Sequence, residues 1–197
     1  TITSAYNTAH AAPVTPPDKV EDSDWAYTNF GTPGTVTKRE HVADLDITLV
    51  TFANGVRLNL KKTDFEANRI RVNLRAGTGS LTEPRDKPGL AFFASNTFSA
   101  GGLGKHSSDD LQRLLAGKTV GFGFRVGTDA LAMGGTTNRD DLLLQLQLMA
   151  AYLTDPGYRP EALRLAQKGI DQLYTGLAHT TSGPLQLEIP RLLANGD

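Results

Sequence analysis

The side chains best suited to chemistry are scattered along this 197-residue chain rather than grouped. The four histidines, His10, His41, His106 and His179, lie too far apart for any two to share a metal-binding spacing, and each is expected to be solvated or to cap a helix. There is no cysteine, which excludes disulfides and thiolate-ligated metals. No Ser-His-Asp set or nucleophile elbow is present. Gly101, Gly102 and Gly104 followed by Lys105 invite a phosphate-loop reading. It fails on spacing: Ser99 stands where the first glycine belongs, and His106 replaces the hydroxyl residue after the lysine. Gly121-Phe122-Gly123 fails as a dinucleotide turn because the next glycine, Gly127, comes one residue late, inside a strand pattern. What remains is a run of basic residues at alternate positions: Arg57, Asn59 and Lys61, then Arg69, Arg71, Asn73 and Arg75. Five of these seven are basic and none is acidic, in a chain of formal net charge -1. A wall of one sign concentrates oppositely charged ligands. Arg57, Lys61, Arg71 and Arg75 are therefore the candidate contacts for acidic or carboxylate-bearing segments of a substrate.

Composition bounds the rest. With 39% hydrophobic and 21% charged residues the chain falls in the ordinary globular class. No apolar run reaches membrane-spanning length, and the near-balanced charge argues against a nucleic-acid partner or an acidic surface. Membrane and nucleic acid are thus not expected partners. The chain opens on Thr1 and stops at Asn195-Gly196-Asp197, which suggests a piece of something longer with its C-terminal boundary cut short.

The elements that must position these residues follow from periodicity. Residues 1–38, broken by Pro13, Pro16, Pro17 and Pro33, read as a linker whose Trp25, Tyr27 and Phe30 dock it on the folded part as a strap. Residues 39–197 form one domain. From Asp46 a period-two pattern predicts a strand, a type I′ hairpin turn at Asn54-Gly55 and a return strand from Val56 to Lys61. A third strand runs from Arg69 to Ala76. The three imply one antiparallel sheet, with helices over its apolar face and the basic residues together on the wet face. Leu90, Phe93, Ala94 and Thr97 keep helical spacing and read as a core helix. Ser107 and Asp110 form a capping box, Val120 to Gly134 a second hairpin, and Thr137 and Asn138 cap a helix that stops at Asp155-Pro156-Gly157. Pro160 starts the longest helix, and a last amphipathic segment near Pro184 to Ala194 is expected to kink or break at Pro190. The fold class is α/β in the α+β sense: an antiparallel or mixed sheet with helices packed on one face.

Asn54-Gly55-Val56, Ala76-Gly77, Gly89-Leu90-Ala91 and Asp155-Pro156-Gly157, in this order and spacing, resemble a domain of the insulinase (pitrilysin) family of zinc metallopeptidases. The likeness covers roughly Phe52 to Asp197. In that family the Gly-Leu-Ala helix continues into His-x-x-Glu-His, and a glutamate on the long helix supplies the third zinc ligand. Here Phe92, Ser95 and Asn96 stand at the histidine, glutamate and histidine positions, and Gln172 at the third ligand. A phenyl ring has no lone pair for zinc and a serine is no carboxylate base. The resemblance implies a degenerate domain of the zinc-free C-terminal half, with Phe93 in the core and Phe92 facing the peptide chamber.

Its implied role is a non-catalytic wall of that chamber. No cofactor is expected in this chain, and zinc is expected in the catalytic half of the parent protein. The implied partners are that half, or a separate active subunit, and a peptide substrate. The alternative is a structural or partner-binding subunit derived from a peptidase. A third reading is an enzyme working through a site of another kind. A bacterial periplasm or cytoplasm is the expected compartment.

Overall fold

The computed structural model describes residues 2–11 and 24–193. A helix α1 occupies Ile2–Ala11, within the stretch read as linker. The prolines Pro13, Pro16 and Pro17 and the end of the chain from Ala194 lie outside the described residues.

Two three-stranded antiparallel sheets follow. The first has the order β1-β2-β3, from Val36–Val42, Ile47–Phe52 and Arg57–Lys61. Its opening strand begins three residues before the expected domain start at Arg39 and was not legible, because Val36-Thr37-Lys38-Arg39-Glu40 has no apolar alternation. The turn between β2 and β3 also differs from the type I′ form. Phe52 N–H donates to Val56 O at 2.9 Å, so three residues close the loop, and only Gly55 takes positive φ, at 86°. That is the longer loop built on an ordinary turn, with a glycine in the left-handed position.

The second sheet has the order β4-β6-β5, from Ile70–Ala76, Leu131–Thr137 and Gly123–Val126. Strand β4 takes β6 as its neighbour and lies in a different sheet from β3. The single sheet of three consecutive strands is therefore not formed. An eight-residue connection from Lys62 to Arg69, with Asn68 at φ 52°, leads the chain away before β4 begins. The alternation in β4 holds: Ile70, Val72 and Leu74 are half-buried while Arg71, Asn73 and Arg75 are exposed.

Helices cover the second sheet. α2 (Leu90–Thr97) packs on β5 and α4 (Leu142–Thr154) on β6. On the first sheet Leu58 and Leu60 stay 40% and 46% exposed, so the expected helical cover is missing there among the described residues. α5 (Pro160–Ala178) starts with proline at its first position and leans on α2, then on α6 (Gly183–Leu193). α6 runs through Pro190 without a break.

The core sits elsewhere than α2, which has no fully buried residue: Phe93 is half-buried and Leu90 is exposed. Tyr27, Leu103, Leu111, Leu148, Ala151 and Tyr152 form the buried cluster, with Trp25, Phe98, Leu115, Val120 and Phe122 packed against it. Phe122 stacks on Tyr152 with centroids 3.9 Å apart. Of the three aromatic residues of the expected strap, Trp25 and Tyr27 pack in or on this cluster, while Phe30 is exposed.

α3 (Ser108–Leu114) carries the expected capping box. Ser107 Oγ accepts from Asp110 N–H, and Asp110 Oδ2 accepts from Ser107 N–H at 2.8 Å. α4 begins later than expected, after Asp141. Thr137 belongs to β6, and Asn138 Oδ1 accepts from Asp141 N–H at 2.8 Å instead of capping the helix directly.

Candidate functional site

α2 is where the metal frame would stand, and its polar side chains are all bound to backbone. Gly89 enters the helix at φ 92°, a conformation open to glycine, and Glu83 Oε1 accepts from Ala91 N–H at 3.1 Å. Ser95 Oγ donates to Ala91 O at 2.8 Å and accepts from Val126 N–H at 2.9 Å. It thereby ties the helix to strand β5. Asn96 donates its amide to Phe92 O at 2.8 Å. Phe92 is 51% exposed and meets Phe93 edge to face. Gln172 is exposed on α5, the helix that packs against α2. The four positions thus fall on two touching helices, and none carries a carboxylate, an imidazole or a thiolate. Among the described residues no three His, Asp or Glu side chains gather to hold a metal ion.

The glycine-lysine loop after α2 is a knot rather than an anion cradle. Every amide from Gly101 to Lys105 already has an internal acceptor: Thr97 O, Ser99 O, His106 O, Asp155 O and the Tyr27 hydroxyl in turn. A phosphate would find no free N–H there. The loop's carbonyls are held from the other side by Arg159, whose guanidinium donates to Gly101 O at 2.6 Å, Leu103 O at 2.7 Å and Gly104 O at 3.3 Å. Gly102 is required at φ 65°, where a Cβ would also press on the backbone of His106 and Ser107. Gly121 plays a comparable packing role. Its N–H and C=O are both bonded by Gln145, a side chain with no exposure, and a Cβ on Gly135 would strike the Gly121 carbonyl.

Tyr27 crosses onto this knot. Its hydroxyl donates to Asp155 Oδ2 at 2.7 Å, and the Lys105 ammonium lies 5.4 Å from its ring. Burial, and then the bond to Asp155, push its pKa up. Tyr152 is pushed up to about 12 by burial. His106, expected to be solvated or capping, is 3% exposed, and its Nε2 accepts from Ala26 N–H at 3.1 Å. Burial pushes its pKa down. No spacing rule marks such a histidine. The one available signal was its place between two glycines and a helix cap.

The basic residues do not form one wall. Arg57, Asn59 and Lys61 share a face of β3, and Arg71, Asn73 and Arg75 a face of β4, in separate sheets. Each group has acquired partners that the sequence did not reveal. Arg69 and Arg71 both grip Glu66, at 2.5 and 2.9 Å, and their hydrogen bonds lower its pKa. Arg75 pairs with Asp129 at 2.9 Å, and Lys61 donates to Leu45 O. Arg57 makes no ion pair among the described residues. Beside them a cleft of about 720 Å³ opens between Glu66, Arg69, Lys118, Thr119 and Thr136.

The antiparallel sheets and covering helices have the fold of a segment of two solved proteases. No protein-family model matches the chain. It is 26% identical over 113 residues to the probable zinc protease PqqL of Escherichia coli (strain K12), a match covering 56% of this chain and 12% of that protein. The solved periplasmic protease PqqL from Escherichia coli superposes with a TM-score of 0.67 at 21% identity, over 86% of this chain and 18% of that one. The ferredoxin protease FusC, solved as a mutant in complex with Arabidopsis ferredoxin, gives a TM-score of 0.73 at 16% identity, over 97% of this chain and 21% of that one. The chain thus spans about a fifth or less of the length of these proteases.

Proposed function

We propose that the chain is a non-catalytic domain of an insulinase-type zinc metallopeptidase and forms part of the wall that holds the peptide. The observation that carries this reading is Ser95. At the position of the catalytic carboxylate it has become a tie between α2 and β5, occupied both as donor and as acceptor. Phe92, Asn96 and Gln172 complete a frame with no ligand for zinc. Zinc and the cleaving residues would come from the catalytic half of the same protein or from a separate active subunit. The structural relative FusC is described with a protein bound, which fits a polypeptide substrate.

Arg57, Lys61, Arg71 and Arg75 are the proposed contacts for carboxylates of that substrate. Glu66 and Asp129 do not block the role, because exposed ion pairs are weak and exchange readily for an incoming carboxylate. The test is to titrate the chain with fluorescent acidic and basic peptides of equal length and follow both anisotropy and cleavage. The acidic peptide should bind without being cut. Binding should weaken as salt shortens the Debye length from about 10 Å at 0.1 M to about 3 Å at 1 M. Arg71→Ser with Arg75→Ser should remove most of the preference. Equal binding of both peptides would rule out these contacts, and cleavage by the chain alone would rule out the non-catalytic reading.

A second reading, a structural or partner-binding subunit, draws on the uncovered apolar surface: Leu58 and Leu60 on the first sheet, and Leu173 and Tyr174, 52% and 56% exposed, on α5. It predicts tight association with a subunit and no affinity for either peptide.

A further inference from the structure

Three side-by-side contacts between the strap, Asp24 to Phe30, and the domain share His106. Ala26 N–H donates to its Nε2 at 3.1 Å. The Trp25 ring stacks on the imidazole, 5.5 Å between centroids and 17° between planes. The Tyr27 ring meets it edge-on at 5.7 Å. Trp25 Nε1 donates to Tyr27 O at 2.9 Å and to Gln147 Oε1 at 3.1 Å, and Tyr27 reaches Asp155 beyond. The hydrogen bond from Ala26 requires an unprotonated Nε2, so the docked ring is neutral and carries its proton on Nδ1.

We infer that the strap is a pH-released latch, held on the domain while His106 is neutral and let go when His106 takes up a proton. Protonation turns the acceptor into a donor, so that two N–H groups face each other at hydrogen-bond distance inside a partly buried contact. The charged groups around the ring divide. Lys105, next in sequence and poised over Tyr27, opposes a second positive charge. Arg159 reaches His106 O at 3.4 Å and adds a cation to the same knot. Asp110 on α3 favours the imidazolium, but its oxygens are engaged by Ser107 and Arg113. Asp155 at the end of α4 is engaged by Tyr27, and Asp24 sits on the exposed start of the strap. The stacked indole also favours a cation, and it works against release. Loss of the acceptor and burial of the charge outweigh these terms, because Nε2 has nowhere to send its new proton while the strap is docked.

The direction with pH follows from two states of one imidazole. Released into water it titrates near its ordinary 6.5, and docked it titrates lower. Docking is therefore fully present above about 6.5 and is lost as pH falls from there through the docked value.

Trp25 is the chain's single tryptophan, so its emission reports the strap directly. On going from about pH 7.5 to about pH 5, the emission maximum should move to the red and acrylamide quenching should rise. Far-UV circular dichroism should stay unchanged over that range. His106→Gln, which keeps an acceptor that does not titrate, should hold Trp25 shielded across the range. Amide exchange at Ala26 in the unaltered chain, corrected for the intrinsic effect of pH, should lose about tenfold in protection. A Trp25 that stays shielded at the low pH, or His106→Gln releasing in the same window, would overturn the latch. Should His106→Gln leave the strap undocked throughout, the exchange at Ala26 decides alone, and unchanged protection there overturns it.

Discussion

Ser95 ties helix α2 to strand β5 through a single hydroxyl. Its hydroxyl satisfies the Val126 N–H, which lies partly buried at the edge of β5, and returns its own proton to Ala91 O. A serine donating to the carbonyl four residues back usually weakens a helix slightly, and here the link to β5 compensates. Ser95→Ala should cost about 1–3 kcal/mol, since it strands a donor away from water. Ser95→Thr, which keeps the hydroxyl, should recover most of the loss. Urea titrations of the three proteins check this, and a Ser95→Ala chain as stable as the parent would make the tie irrelevant. The identity of Ser95 was visible in the sequence, but its bonds were not, because Val126 lies 31 residues away. His106 was hidden for the same reason: the amide that uses it belongs to Ala26, 80 residues earlier.

Elements governed by neighbouring residues were legible, and elements governed by distant pairing were not. The box of Ser107 and Asp110 could be read directly, as its bonds span three residues. It has a pH signature. Hydrogen bonds from the Ser107 hydroxyl and N–H, then from Arg113, lower the Asp110 carboxyl from 3.8 to about 2. A depressed carboxylate stabilises the fold above its unfolded value and loses that contribution as pH falls. The α3 cap should therefore hold down to about pH 4 and weaken between there and about pH 2. Amide exchange at Asp110 and Leu111 against pH measures it, and Asp110→Asn should flatten the profile. The helix starts at Pro160 and the alternation in β4 were local in the same sense. The partner of β4 was not, since nothing between Ile70 and Ala76 says whether β3 or the distant β6 lies beside it. That choice divided the expected basic wall between two sheets. It also placed Glu66 and Asp129 beside arginines that had looked unopposed.

At the scale of the whole molecule, the packed region is the knot of strap, glycine loop, α4 and the start of α5. Arg159 and Asp155 hold the loop's polar groups there, and Leu103 and Leu148 fill the centre. Among the described residues the first sheet and the apolar stripe of α5 stay uncovered. The proposed function requires an insulinase-type fold that keeps its packing and holds no zinc at Phe92, Ser95, Asn96 and Gln172. Metal content tests that claim most directly. The chain is equilibrated with excess zinc, dialysed against a weak chelator and assayed for bound metal. With Phe92, Ser95, Asn96 and Gln172 at the frame positions, no stoichiometric zinc should remain. One zinc retained per chain, and lost on Gln172→Ala, would contradict it.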